Sequence, residues 1–368
     1  MSEARIHAVT VPKWGMAMDE GTVTVWHVAE GAAVDAGQEL LDLESTKIAN
    51  AIEAKRAGIL RRAVAGVGTA LPVGGLLGVI ADANVPEAEI DSFVADFVVA
   101  APDAEGEGAP RTATVEVGGR AIHYLDLGVG EAPIVLVHGF GGDLNAWLFN
   151  QPALAERGRT IALDLPGHGQ SSGDVGEGTV AALSGTLLGF MDSLGLGAAH
   201  LVGHSLGGAI ALAVAVAQPG RVRSLTLIAS AGLGPEINAS FIDGFLAAER
   251  RKDMTVVLGT LFADPALVTR QMVDDVLKAK RIDGAQAALA RIAGACFPAG
   301  RQALDLRPSL ADLAVPVQVI WGSSDAVIPA AHADGLPASV TVLRLQAGHM
   351  PHMEKAAEVT RAILAISG

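Results

Sequence analysis

Ser205 stands in the run Gly203-His204-Ser205-Leu206-Gly207-Gly208. Before it, Ala199-His200-Leu201-Val202 has the pattern of a buried strand, and after it Ala209 to Ala217 has the pattern of a helix. A Gly-x-Ser-x-Gly sequence at a strand-to-helix turn is a nucleophile elbow, which lifts the serine above the sheet edge. The glycines are needed because the turn is sharp and neighbouring backbone comes close. A serine hydroxyl is a poor nucleophile until a base takes its proton. The base is expected downstream, after an acid, in the order Ser, Asp, His. Pro316 to Gly322 reads as a strand, and Asp325 lies in the loop that follows it. Val340 to Leu345 reads as another strand, and Gln346-Ala347-Gly348 leads to His349. Three strand-end loops at one sheet edge can bring Ser205, Asp325 and His349 together as nucleophile, acid and base.

Other residues compete for these roles. His352, three residues after His349, is expected to begin or cap the last helix. His204 adjoins Ser205 and is expected to point away from its hydroxyl. Asp312 precedes its strand, at the wrong end of the sheet. Cys296 is expected as a buried small hydrophobe, not a second nucleophile. Acyl transfer also needs two backbone donors for the developing oxyanion. Leu206, directly after the nucleophile, supplies one. The strand Pro133 to Val137 runs into His138-Gly139-Phe140-Gly141-Gly142, and Phe140 is expected to supply the other. His138 and the turn Asp164 to Ser171 read as structural support.

A second chemical centre lies near the N-terminus. Val34-x-x-Gly37-x-x-Leu40 recurs as Leu71-x-x-Gly74-x-x-Leu77, preceded by Gly31 and Gly68 respectively. Such a repeat predicts two related β-layers. Between its copies, Leu41 and Leu43 alternate inward, Glu44, Ser45 and Thr46 interrupt as a turn would, and Ile48 and Ile52 follow. That puts Lys47 at or near a hairpin tip, at the midpoint of the repeat.

The elements that must position these centres fall into two groups. Residues 1 to about 82 are short apolar runs broken by glycine, which predicts a small all-β unit. From Thr114 onward, strand-like and helical runs alternate, which predicts an α/β unit with a mainly parallel sheet. Between them, residues 83–112 are rich in Ala, Pro, Glu and Asp and read as an acidic flexible linker with a span of roughly 30 Å. Within it, Ile90, Phe93, Val94, Phe97 and Val98 share a helical face, expected to dock on its own chain in preference to a partner subunit. The 368 residues carry 26 Lys plus Arg against 40 Asp plus Glu, a formal net charge of -14. Such a surface repels nucleic-acid phosphates. The lone cysteine rules out an internal disulfide and a cysteine-rich metal site. Met1 to Gly15 lacks the apolar core of a signal peptide, and the longest apolar run, Ala209 to Ala217, is too short to span a membrane. A cytoplasmic location is expected.

Residues 1 to about 82 resemble a lipoyl domain. Pro12-Lys13-Trp14-Gly15-Met16, Glu20-Gly21-Thr22-Val23 and Glu44-Ser45-Thr46-Lys47-Ile48, with the glycine repeat, carry the resemblance. It implies amide-linked (R)-lipoate on Lys47. Biotin carriers share the fold but usually flank their lysine with methionines, where this chain has Thr46 and Ile48. Residues from about 112 to 368 resemble the α/β-hydrolase fold family. His138-Gly139, Asp164-x-Pro-Gly-x-Gly, the serine elbow, Gly322-x-x-Asp325 and Gly348-His349 carry that resemblance. The fold class expected is therefore multidomain: a β-sandwich lipoyl domain (1–82), a linker (83–112) and an α/β-hydrolase domain (113–368). A helical cap over about 232–311 carries Phe241, Phe245, Phe262 and Phe297, enough to line an apolar pocket, although most of them are expected as ordinary core residues.

The fusion resembles the family of dihydrolipoamide acetyltransferase (E2) components of acetoin dehydrogenase complexes. That resemblance implies the surrounding reaction. A thiamine-diphosphate enzyme (E1) cleaves acetoin and loads the lipoyl arm, this chain passes the acetyl group to coenzyme A, and a flavin-containing dihydrolipoamide dehydrogenase (E3) reoxidises the arm. Multimeric cores in related complexes imply a homo-oligomer. The chain lacks the His-x-x-x-Asp-Gly motif of the chloramphenicol-acetyltransferase-like domain, so transfer would fall to Ser205, His349 and Asp325, through an acyl-serine or by direct transfer between thiols in the same pocket. No segment signals a coenzyme A site. Two other readings use the same residues: a thioesterase or carboxylesterase, in which water replaces coenzyme A, and a lipoyl carrier whose second domain is a non-catalytic scaffold.

Overall fold

In the computed structural model, residues 5–12, 20–45, 49–97 and 111–368 are described. Alternating apolar residues build the first unit from β1 (Ile6–Thr10), β2 (Glu20–Trp26), β3 (Ala33–Val34), β4 (Glu39–Glu44), β5 (Ala49–Glu53), β6 (Gly58–Ala63), β7 (Ala70–Pro72) and β8 (Leu76–Ala81). They form two four-stranded sheets, in the orders β1-β8-β6-β3 and β5-β4-β2-β7. Each sheet contributes apolar side chains to the interior. Leu41 and Leu43 of β4 and Leu77 of β8 are fully buried.

The sequence repeat is a structural one. Gly31 and Gly68 enter β3 and β7 at φ of +88° and +85°, and Gly37 and Gly74 precede β4 and β8 at +83° and +82°. A side chain at φ near +85° is strained, so the paired glycines set paired turns. The two copies exchange sheets: β3 joins the sheet of β8, and β7 joins the sheet of β4. β4 and β5 pair antiparallel, with Glu44 opposite Ala49 as the last rung. Lys47 falls in the chain between those two residues and lies outside the described residues, as do its neighbours Thr46 and Ile48.

The start of the expected linker is ordered against this unit. Helix α1 (Glu87–Ala95) has acidic residues in its first turn, the favourable end of the helix dipole. Its Ile90 is fully buried in a cluster with Leu76, Val79, Ala81 and Val85, and Phe93, Val94 and Phe97 pack around the cluster. Arg62 pairs with Glu87 at 2.7 Å and Asp91 at 2.6 Å. Surface ion pairs of this kind contribute about 0–1 kcal/mol each, so the apolar face does most of the holding. An extended, flexible segment is therefore not what residues 83–97 form. Residues 98–110, the rest of the acidic stretch, lie outside the described residues.

The second unit opens with β9 (Arg111–Val117), which begins just before the boundary expected at 112/113, and β10 (Arg120–Leu127). There follow β11 (Ile134–Val137), α2 (Gln151–Ala155), β12 (Thr160–Leu163), α3 (Val180–Ser193), β13 (Ala199–His204), α4 (Leu206–Ala217) and β14 (Val222–Ile228). After an insertion of α5 (Ala239–Ala247), α6 (Arg251–Gly259), α7 (Arg270–Lys280) and α8 (Ala285–Cys296) come β15 (Val317–Gly322), β16 (Val340–Leu345), α9 (Pro351–Glu354) and α10 (Ala356–Ser367). The eight strands form one sheet in the order β16-β15-β14-β13-β11-β12-β10-β9. Strands β11 to β16 run parallel, while β9 and β10 are antiparallel additions at one edge. Parallel strands covered on both faces need continuous apolar runs, and β11 (Ile-Val-Leu-Val) is buried at every position. Separate buried clusters lie on the two faces, one including Leu201, Leu206 and Leu212 and the other Leu136, Val202 and Ile320.

Candidate active site

Ser205 lies between the end of β13 and the start of α4, at φ 52° and ψ -118°. A non-glycine residue in that region is strained by about 1–3 kcal/mol and persists only where its surroundings impose it. The imposing contacts are visible. Ser205 N–H donates to Ile228 O at 2.9 Å, and Ser205 O accepts from Ala231 N–H at 3.0 Å. A Cβ on Gly207 would overlap Val137 O and His138 O, and one on Gly208 would overlap Ser230 Oγ. Helix α4 can thus start directly over β11 and β14 only because both positions are glycine.

Asp325 and His349 meet as the loop positions required. His349 Nδ1 is 2.8 Å from Asp325 Oδ2, and both side chains are almost wholly buried. Asp325 is gripped on every side. Its Oδ1 accepts from Val327 N–H at 2.8 Å and Ile328 N–H at 3.0 Å, and its Oδ2 also accepts from Trp321 Nε1 at 3.0 Å. Such a carboxylate holds the imidazole in the tautomer that leaves Nε2 free to accept a proton.

His349 is tied to the serine through its backbone. His204, directly before Ser205, places Nε2 at 2.9 Å from His349 O. Burial holds the His204 pKa well below its ordinary value, reinforced by the nearby His352 and His349. It is therefore neutral and donates that Nε2–H. No hydrogen bond joins Ser205 Oγ to His349 among the described residues. Catalytic contacts of this kind often tighten only when substrate binds.

The two residues expected to donate to the oxyanion, Leu206 and Phe140, fall at a helix start and in the loop after β11. Leu206 is the first residue of α4, so its amide has no intrahelical acceptor. Phe140 lies in the loop after β11, where two neutral histidines set the backbone. His138 donates from Nδ1 to Gly139 O at 2.8 Å and accepts from Leu165 N–H on Nε2 at 2.9 Å. His168 accepts from Gly141 N–H at 3.0 Å, and burial pushes its pKa down to about 3. Asp164 anchors both loops by accepting from Leu144 N–H at 2.8 Å and Gln170 N–H at 2.9 Å and contacting His123 Nδ1 at 2.9 Å. The Asp164 turn and His138 are thus support, as their sequence setting suggested.

Asp312 ends a short 3-10 turn before β15, away from His349's loop. Cys296 is buried, and burial pushes its thiol up to about 12, which leaves it protonated and inert. His352 departs from expectation. It caps nothing: it is wholly buried, stacked between Trp147 at 4.7 Å and His204 at 4.5 Å between ring centroids. Trp321 was not anticipated as a partner of Asp325, although its place at the end of β15, four residues upstream, is the signal that could have found it. Of the insertion's phenylalanines, Phe245 and Phe297 pack their rings on Phe140 at 5.6 and 6.0 Å between centroids.

Known proteins of the same make-up can now be set beside this geometry. Residues 132–356 match the α/β-hydrolase fold family, and residues 7–80 match the biotin/lipoyl attachment family described as biotin-requiring enzyme. The chain is 47% identical, over 98% of each sequence, to the dihydrolipoyllysine-residue acetyltransferase component of the acetoin cleaving system of Pseudomonas putida. The chain belongs to that family. A second member, from Cupriavidus necator, is 45% identical, over 95% of this chain and 94% of that protein. Among solved structures, the enol-lactonase from Burkholderia xenovorans LB400 matches 69% of this chain and 99% of its own, with a TM-score of 0.59 and 26% identity. Membership in the acetyltransferase-component family accounts for a lipoyl-type unit and a hydrolase-type unit on one chain. Among the described residues, no helix is long and apolar enough to cross a membrane.

Proposed function

We propose that the protein transfers an acetyl group from a lipoyl arm on Lys47 to coenzyme A, with Ser205 as nucleophile, His349 as general base and acid, and Asp325 orienting the base. The observation that carries this reading is the buried Asp325–His349 pair at 2.8 Å, beside a strained serine elbow on a chain that also holds a lipoyl-type domain.

The β4–β5 hairpin fits a lipoyl attachment point. Its last rung pairs Glu44 with Ala49, and Glu44 is exposed, so the strand has left the core just before Lys47. When bound, lipoate supplies a dithiol that carries an acyl group as a thioester. In the hydrolase-type unit, Ser205 Oγ attacks the thioester carbonyl while His349 Nε2 takes the serine proton. The amides of Phe140 and Leu206 hold the oxyanion. As the carbon–sulfur bond breaks, His349 returns the proton to the departing sulfur and leaves an acyl-serine. The thiol of coenzyme A then gives its proton to His349, its sulfur takes the acyl group, and Ser205 Oγ recovers the proton.

The family's printed name supports acetyl transfer at a dihydrolipoyllysine residue and membership in a multi-component system. We assign to that system an acetoin-cleaving thiamine-diphosphate enzyme and a dihydrolipoamide dehydrogenase. We also assign this chain a homo-oligomeric core and a cytoplasmic location.

Purified protein, acetyl-dihydrolipoamide and coenzyme A test the reading, with acetyl-coenzyme A and acetate followed separately. Acetyl-coenzyme A that disappears in Ser205→Ala is the expected result. Full activity in Ser205→Ala would sink the acyl-serine route, and serine-dependent acetate, indifferent to coenzyme A, would make the protein a hydrolase.

A further inference from the structure

The loop that carries His349 is fastened to the insertion as well as to the sheet. His349 N–H donates to Leu261 O at 2.7 Å. Glu354, the last residue of α9, accepts from Gly348 N–H on Oε1 at 2.7 Å and from Ala263 N–H on Oε2 at 2.9 Å. Leu261 and Ala263 lie in the turn just after α6, one side of the insertion, whereas Gly348 and His349 lie beyond β16. The two backbones touch: a Cβ on Gly348 would stand 2.6 Å from Ala263 N and Phe262 C and 2.7 Å from Leu261 O. Real Cβ contacts are never so short, so only glycine permits this approach.

We infer that Glu354 is a positioning residue whose single carboxylate bridges the turn 261–263 and the loop of His349, so that placement of the insertion and alignment of the base are set together. Each oxygen has a different task. Oε1 holds the residue before the base, and Oε2 holds the segment whose carbonyl, two residues earlier, receives the base's own N–H. Losing the carboxylate frees both ends at once. The inference rests on the proposed roles of Ser205 and His349.

A fluorophosphonate probe reads base alignment directly. In the labelling step Ser205 Oγ bonds to phosphorus, fluoride leaves, and His349 takes the serine proton. Labelling rates are compared at a temperature where circular dichroism shows every variant folded. Glu354→Ala is expected to label at least tenfold more slowly than the wild type, with kcat for acetyl transfer falling in parallel and KM for acetyl-dihydrolipoamide within twofold. A purely structural glutamate would lower the melting temperature without this kcat-selective loss. Glu354→Gln keeps the shape and one acceptor oxygen, so it recovers part of the rate; it also carries the test if the alanine variant does not fold. Labelling of Glu354→Ala or Glu354→Gln within twofold of the wild type overturns the inference. If His349→Ala labels as fast as the wild type, the assignment of the base itself is wrong, and the bridge has nothing to align.

Discussion

Replacing Asp325 with asparagine separates the acid's proposed catalytic work from its structural work. The carboxylate receives four N–H groups: those of Val327 and Ile328 on Oδ1, and those of Trp321 and His349 on Oδ2. An amide can accept on one side only. Turning its NH2 toward Val327 and Ile328 would set it against two backbone donors that cannot move. Turned toward His349, it meets one partner that can adapt, because imidazole can shift its proton from Nδ1 to Nε2. Trp321 loses little, since its Nε1–H also donates to Ile328 O at 3.2 Å. The folded state should therefore lose only about 1–3 kcal/mol. The shifted tautomer, however, protonates the nitrogen that accepts the serine proton in the proposed mechanism. In a comparable triad the same change lowers kcat about 10⁴-fold, or about 5 kcal/mol of barrier. Acetyl-coenzyme A formation and urea unfolding, measured on one preparation, give both numbers. A folded Asp325→Asn enzyme within tenfold of wild-type activity would refute the tautomer argument and, with it, the role of Asp325.

Two further outcomes follow from buried groups. Burial pushes the pKa of His352 and of His168 down to about 3, from an ordinary value of 6.5. The unfolded chain therefore binds protons first as pH falls below 6.5. The stability this contributes is whole above that pH and is lost on the way down towards 3, by about 1 kcal/mol per pH unit for each histidine. Urea midpoints at pH 7, 6 and 5 should fall steadily, and His352→Phe should flatten the slope; an unchanged slope would show that His352 is not the neutral, buried group described. Lys280 donates Nζ to the carbonyls of Phe245, Leu246 and Ala248 at the end of α5. Lys280→Met leaves those carbonyls without that donor and should cost about 2 kcal/mol in urea unfolding, and a neutral result would mean that water reaches them.

How much of this was legible in the sequence depends on the range of the contacts involved. The serine elbow announces itself because its signature is written within six residues: Gly203, Gly207 and Gly208 sit where a Cβ would strike backbone or Ser230. Asp325 and His349 were legible for a related reason. Each follows a buried strand at one sheet edge, so strand order delivers them to the same place. The paired glycines at φ near +85° made the two-layer repeat readable in the same local way.

His352 was misread because nothing near it in sequence shows what covers it. Its neighbours in the stack are Trp147 and His204, both more than a hundred residues away. Its two ring nitrogens have no hydrogen-bond partner among the described residues, so a polar residue close to a helix start behaves as an aromatic spacer. Replacing a group that makes no hydrogen bond costs little, which is why His352→Phe can isolate a protonation effect without dismantling the core. Helix α1 presented the converse problem. Its apolar face was evident from Ile90 and Phe93, yet the surface that receives it belongs to β8, whose Val79 and Ala81 share its buried cluster. A strand buried at all six positions, as β8 is, has a second face to cover, and that excess of burial over simple alternation is the trace α1 leaves in the sequence.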